Sequence, residues 1–355
     1  MKDWTSFEQK FPLLAQSLAH AAKTGRLSHS HLVVSSNPDL RLDFPILLAR
    51  LCACTDPRDD GAPCGVCATC RLLNSGMYPD LHILSPTSKA REITVGKDDE
   101  DPDTLRSFEA AFHLGSITES GWKIGIVQEA DTMNEAAQNA FLKTLEEPPP
   151  KCLFILATGR PGALLPTIRS RCQTIPLTDN VCTYDMKYFS ELPGILKDYT
   201  VRARTADLAA AEDFALKLIR LLNSFEAAAS ETVGAKWEPK MKEAENLEQA
   251  GIKLLERRIA GETSCEYRRL REQFISFIHA WFAQIAILSA GIEPGLLPNP
   301  EIMKPWLEDP EKPKIREREA LRMLGDAEEL IRVLRTNVND ELAIRAFALK
   351  SLTRG

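Results

Sequence analysis

Five short apolar runs punctuate the first half of the chain: His31–Ser35, Leu81–Leu84, Trp122–Val127, Cys152–Ala157 and Thr174–Leu177. None alternates cleanly between apolar and polar, which is the pattern of parallel strands covered on both faces. Helical patterns lie between them, such as Leu105, Phe108 and Phe112 at i, i+3 and i+7. The best-marked helix spans Thr132–Glu147: Thr132 and Glu135 make a capping-box signature, Met133, Ala137, Ala140, Phe141 and Leu145 share one face, and Pro148-Pro149-Pro150 stops it. Alternation of this kind predicts an α/β layered domain with a parallel five-stranded sheet over residues 1–178. Beyond it the strand signal vanishes. Leu208–Ala229, Met241–Ile259, Tyr267–Ala290, Arg316–Arg335 and Asp340–Leu352 read as amphipathic helices, with Glu231–Glu245 a polar connector. Gly291–Pro313 holds six prolines in 23 residues, which predicts an extended loop. The second half, residues 208–355, is therefore expected to be all-α.

Composition narrows the function. With 355 residues the chain is too long for one ordinary core. Its 44 Lys+Arg against 50 Asp+Glu give a formal charge of -6, a poor match for a chain that holds nucleic acid by itself. The amino terminus lacks a basic-then-apolar leader, and the longest apolar stretch, Phe274–Ala290, is interrupted by Ser276, His279, Gln284 and Ser289. A soluble, cytoplasmic protein with no membrane partner is expected.

Nine cysteines in such a chain point to metal or buried thiols rather than disulfides. Cys54, Cys64, Cys67 and Cys70 form C-x9-C-x2-C-x2-C, with Gly61, Pro63 and Gly65 supplying turns. Four thiolates without a carboxylate or an open position describe a structural Zn2+ site. Cys52 is the rival to Cys54, but its place at the end of a helix suits the core. Cys152, Cys172, Cys182 and Cys265 stand alone and are expected to be buried thiols.

Nucleotide-binding α/β domains cradle phosphate with G-x-x-x-x-G-K-[ST] after the first strand. Here Ser36-Asn37-Pro38-Asp39-Leu40-Arg41-Leu42-Asp43 follows, with no glycine or lysine and with one N–H removed by Pro38. The only Gly-Lys pair, Gly96-Lys97, has Arg91 and Asp98 where glycine and Ser/Thr belong. After the third strand Gln128 occupies the position at which an aspartate holds magnesium, leaving Glu129 and Asp131 as remnants or as helix-start acids. No ATP is expected to be held by this chain.

Four segments occur together in one order: Gly25-Arg26-Leu27-Ser28-His29-Ser30-His31-Leu32, the cysteine loop, Asn139-Ala140-Phe141-Leu142-Lys143-Thr144-Leu145-Glu146-Glu147-Pro148-Pro149, and Ser170-Arg171-Cys172. This set resembles the bacterial clamp-loader AAA+ subunits of DNA polymerase III, most strongly over residues 5–178. The missing phosphate loop is similar to the delta-prime class rather than the ATP-hydrolysing gamma/tau class. The resemblance implies an AAA+ domain with a cysteine loop at 54–70, a shortened lid or connector at 179–207, and a helical collar over 208–355 whose last helices match Leu334–Leu352. It implies gamma/tau and delta subunits as partners, with the sliding clamp and primed DNA reached through the complex. It implies no catalysis by the chain alone and a place in the assembly's ATPase, to which Arg171 is donated as an arginine finger; the plainer reading of Arg171 is an ion pair with an acid of its own domain. It puts Thr158 at a sensor position, where a turn-capping role is the plainer reading, and Lys143, Glu146 and Glu147 near a subunit interface or the DNA. His29 and His31 read as core or strand-start histidines. Two other readings stand beside this one: a gamma/tau-like ATPase with a degenerate phosphate loop, and a zinc-containing nucleic-acid-binding protein.

Overall fold

All five apolar runs are strands of one parallel sheet, in the order β2-β3-β4-β1-β5. A computed structural model describes residues 3–86, 92–97, 101, 103–178, 184–202, 207–243, 249–335 and 339–350. It divides into two compact units, Met1–Asn180 and Val181–Gly355. Arg91, Asp98 and Cys182, and the ends of the expected 179–207 segment, lie outside the described residues.

In the first unit the strands are β1 (Ser30–Val34), β2 (Leu81–Leu84), β3 (Lys123–Val127), β4 (Cys152–Thr158) and β5 (Gln173–Pro176). Central β4 is buried at every position. Leu153, Ile155 and Ala157 face one core, with α1 (Trp4–Lys10), α2 (Pro12–Lys23), α3 (Pro38–Ala53) and α4 (Ala68–Asn74). Cys152, Phe154 and Leu156 face the other, with α5 (Leu105–His113), α6 (Glu135–Glu146) and α7 (Pro166–Arg171). Two apolar layers leave no polar face, which is why the strand runs lack alternation. The capping-box expectation fails in detail. Thr132 lies in a 3-10 turn, Ala130–Thr132, and Asn134 caps α6 by accepting from the Ala137 N–H at 2.8 Å. Asparagine two residues on is an equally good cap, so the polar pattern alone could not choose.

Gly125 of β3 lies under a cluster of Phe108, Phe112, Phe141 and Phe154, whose ring centroids lie between 4.7 and 6.4 Å apart at tilted or edge-on angles. A Cβ there would lie 2.7 to 2.9 Å from ring atoms of Phe112, Phe108 and Phe154. Gly125→Ala is expected to destabilise the first unit by about 1–3 kcal/mol through overpacking, measured as a lower urea midpoint with an unchanged slope.

His31 sits in β1, and burial pushes its pKa down to about 4. An unfolded histidine titrates near 6.5, so between these values the unfolded chain binds the extra proton and stability falls as pH drops from about 6.5 to about 4. The loss is expected to approach 3 kcal/mol across that window, and His31→Gln should flatten the acid limb of a denaturation-midpoint profile.

The second unit is helical. It holds α8 (Met186–Phe189), α9 (Leu192–Arg202), α10 (Leu208–Glu243), α11 (Gln249–Ser289), α12 (Lys304–Leu307), α13 (Glu317–Leu334) and α14 (Asp340–Leu349). Tyr184, Phe189, Leu192, Ile195, Leu196 and Tyr199 join the same apolar core as α10–α14. Between residues 184 and 202 the segment is thus mostly helical, in α8 and α9, with a clear apolar face. Pro193 stands in the first turn of α9, where its missing N–H costs nothing.

Three sequence expectations are corrected here. Glu231–Glu245 is no connector: α10 runs on to Glu243, and Phe225, Ala229, Val233 and Trp237 continue one buried stripe. The Trp237 indole N–H donates to Glu262 at 2.9 Å. The helices expected at 241–259 and 267–290 are not separate: from Gln249 to Ser289 the chain is one helix, α11, in which Gly261 is tolerated, while 241–243 end α10. Gly291–Pro313 is not extended throughout: Pro294, Pro300 and Pro305 each stand in the first turn of a short helical segment, and Leu297, Ile302, Met303 and Trp306 are buried. Arg271, almost fully buried, donates to Asp340 at 2.9 Å and to the Leu334 carbonyl, tying α11 to the junction of α13 and α14. No helix among the described residues is long and apolar enough to cross a membrane.

Candidate functional site

The chain leaves β1 toward β2 at one edge and leaves β4 toward β5 at the other. The crevice beyond the carboxyl ends of β1 and β4 is therefore the switch point at which open α/β sheets bind ligands. Here Ser35 N–H donates to the Thr158 carbonyl at 3.2 Å, continuing the pairing past the strand ends. Two amides of this turn are already engaged and a third position has none. Asn37 N–H donates to Ser35 Oγ at 3.2 Å, Pro38 has no N–H, and Asp39 N–H donates to Asn37 Oδ1 at 3.0 Å as the cap of α3. The Arg41 guanidinium folds back over the turn, donating to the carbonyls of Ser35 at 2.8 Å and Ser36 at 3.1 Å. It also covers Gly159, where a Cβ would come within 3.0 Å of it.

The acidic remnant is likewise occupied from within. Thr158, fully buried, donates its hydroxyl to Asp131 Oδ1 at 2.6 Å and accepts the Arg160 N–H at 2.9 Å. Arg160 closes the triangle with a two-pronged bond to Asp131 Oδ2, at 2.8 Å from Nε and 2.7 Å from Nη2. Asp131 is thus neither a free helix-start acid nor open toward the crevice. Gln128 is buried at the end of β3, and Glu129 next to it adopts a left-handed backbone with φ 49°. Neither Arg41 nor Arg160 stood out in the sequence. An arginine shortly after a strand is too common to signal that it folds back over its own turn.

Arg171 ends α7, with Ile168 and Cys172 seated in the core on either side of it. Its side chain reaches Glu146, the last residue of α6: Nη2 and Nε donate to Oε1 at 2.8 and 3.1 Å. Both partners are close to half exposed, 45% and 47%. Such a pair contributes about 0–1 kcal/mol and is easily exchanged for a stronger anion.

The four cysteines of the loop come together, their sulphurs all within 4.8 Å of one another. Cys54 caps the end of α3 and Cys67 caps the start of α4. Backbone amides point at the sulphurs: Cys67 and Val66 at Cys64, Cys64 at Cys54, and Cys70 at Cys67, between 3.2 and 3.5 Å. Burial opposes ionisation of Cys67, yet hydrogen bonds from Thr55 and Cys70 outweigh it and bring the thiol to about 6. A convergent thiolate set of this kind fits one metal ion of soft or borderline character. Cys52 instead lies against the apolar core, where burial pushes its thiol up to about 12. Cys152 and Cys172 are buried, and Cys265 is partly so.

Comparison with known proteins falls on this first unit. A family described as DNA polymerase III, delta subunit, matches residues 11–180. The delta' subunit of DNA polymerase III from Bacillus subtilis is 32% identical over 173 residues, 49% of each chain. The Escherichia coli delta' subunit is 36% identical over 159 residues, 44% of this chain and 45% of its own. The Escherichia coli tau subunit is 31% identical over 156 residues, 44% of this chain and 22% of its own. The chain thus matches about half the length of the curated delta' relatives, and the likeness is to delta' with tau as a further relative.

Proposed function

We propose that the chain is a delta-prime-type subunit of a DNA polymerase III clamp loader, one that holds no ATP and completes the ATP site of a neighbouring subunit with Arg171. The observation that carries this reading is the closed opening turn, in which Ser35 and Asn37 take the amides at 37 and 39 and Pro38 offers none. Phosphate cradling needs those donors free. Arg41 and Arg160 supply internally the positive charge that a lysine and a magnesium ion bring to a working site. Arg171 is the complement of that loss. A planar, permanently charged guanidinium at an exposed helix end can stabilise charge growing on another subunit's γ-phosphoryl oxygens. Its partners in this reading are gamma/tau and delta subunits, and the sliding clamp and primed DNA are met through the assembly.

The four thiolates would hold a structural Zn2+. A tetrahedron with Zn–S bonds of about 2.3 Å has sulphur–sulphur edges of about 3.8 Å. The separations of 3.6 Å for Cys54–Cys64 and 3.9 Å for Cys54–Cys67 support that assignment.

Titration of the purified chain with Mg-ATP by calorimetry is expected to give no binding at millimolar nucleotide. Micromolar binding that Ser35→Ala or Asn37→Ala alters would favour the gamma/tau-like ATPase reading instead.

A further inference from the structure

The segment Gly25–Leu32 runs into β1, and where it enters the strand the side chains of His29 and Ser30 reach the ends of two helices. His29 donates from Nε2 to the Leu145 carbonyl at 3.1 Å, holding the last turn of α6. The Ser30 hydroxyl, fully buried, donates to the Arg171 carbonyl at 2.7 Å, holding the last residue of α7. Leu145 precedes Glu146, and Glu146 accepts the Arg171 guanidinium. Two consecutive residues at the start of one strand therefore bring the carboxylate and the arginine into register.

The contact with Glu146 has a specific geometry. It uses Nε and Nη2, the side edge of the guanidinium, on a single oxygen. Nη1 makes only a 3.5 Å approach to Ser170 Oγ. The end edge, formed by Nη1 and the second hydrogen of Nη2, keeps donors for another acceptor. A carboxylate bound this way removes rotamer freedom from a long side chain without consuming the end edge.

We infer that Glu146 is a positioning residue for Arg171, and that His29 and Ser30 are the frame that sets the pair: the glutamate orients the guanidinium toward phosphoryl oxygens of an adjoining subunit. This rests on the proposed finger role and goes beyond it by naming what aims the finger. An unrestrained arginine must lose its side-chain freedom during the reaction, whereas a held one has lost it already.

The test uses the complete loader reconstituted with its ATPase subunits, clamp and primed DNA. Glu146→Ala is expected to lower kcat for ATP about five-fold with KM unchanged, the scale of one exposed ion pair and part of an arginine's rotamer entropy. Glu146→Gln, which can still accept from Nε and Nη2, should recover most of that loss. Ser30→Ala should give a smaller fall in kcat alone. The double variant Glu146→Ala with Arg171→Ala should be no slower than Arg171→Ala. Unchanged or raised kcat in Glu146→Ala, or an equal further loss in the Arg171→Ala background, overturns the positioning role while leaving the finger intact. Unchanged ATPase in Arg171→Ala overturns the finger reading itself. Glu146 is exposed at a helix end, so its variants should fold normally, which thermal unfolding of the isolated chain checks.

Discussion

Arg171→Ala is expected to lower the clamp-dependent ATPase of a reconstituted loader by about 10³-fold or more at the site it serves, the usual worth of an arginine finger. The isolated chain should barely register the change. Among the described residues its main side-chain partner is Glu146, in an exposed pair worth about 0–1 kcal/mol, while the helix is anchored by Ile168, Cys172 and the Ser30 bond to the Arg171 carbonyl. Assembly measured by gel filtration should be retained, so the loss would be kinetic. Arg171→Lys keeps the charge but loses the planar fork, and most of the defect should persist. If other sites in the loader turn over independently, the loss appears as a fractional fall in the total rate, and single-turnover kinetics resolves it. Full activity in both variants would refute the role.

Stripping the metal proposed for the cysteine loop is expected to have the largest effect on stability. The loop is bound to the amino-terminal helices as well as to itself. Gly61 adopts φ 91° with no space for a Cβ, which would fall 2.4 Å from the Ala19 carbonyl oxygen and 2.7 Å from Lys23 Cβ. Lys23 donates to the Asp59 carbonyl at 2.6 Å, Arg58 pairs with Glu8 at 3.4 Å, and Ala62 is fully buried. Four thiols brought together without a cation lose the bonds that hold this 54–70 loop closed, and α1 and α2 then lose a wall of their contact. Chelation, or Cys64→Ser, should cost about 3 kcal/mol or more, below the 10–16 kcal/mol of peptides that fold only with zinc, because α1–α3 keep an apolar core of their own. Metal analysis should give one ion per chain. Limited proteolysis after chelation should open the loop and residues 4–23 first; an unchanged digestion pattern and unchanged melting would count against a structural metal.

The strand runs and the cysteine loop were legible in the sequence because each rests on local chemistry. β-Branched and aromatic runs form strands wherever both faces can be covered, and C-x2-C-x2-C spacing brings thiolates together over a single turn of chain. The helical half was less legible. Trp237 looked isolated in a polar stretch, yet it prolongs a stripe from Phe225 by steps of four and is satisfied by Glu262, a partner 25 positions away. The prolines between Gly291 and Pro313 looked like breakers and instead open short turns over a buried Trp306.

By itself the sequence determined that the opening turn lacks the glycines and the lysine of a phosphate cradle, that four thiols share one loop, and that Ser170-Arg171-Cys172 stands just before the last strand run. These follow from residue type and spacing, which need no knowledge of distant contacts. Only the tertiary structure decided what fills the crevice and what holds the arginine. Asp131 meets Thr158 and Arg160 across 27 and 29 positions, and Arg171 meets Glu146 across 25. Those partners are chosen by which strand ends the sheet order sets side by side, and parallel strands joined through helices place side by side residues that are far apart along the chain.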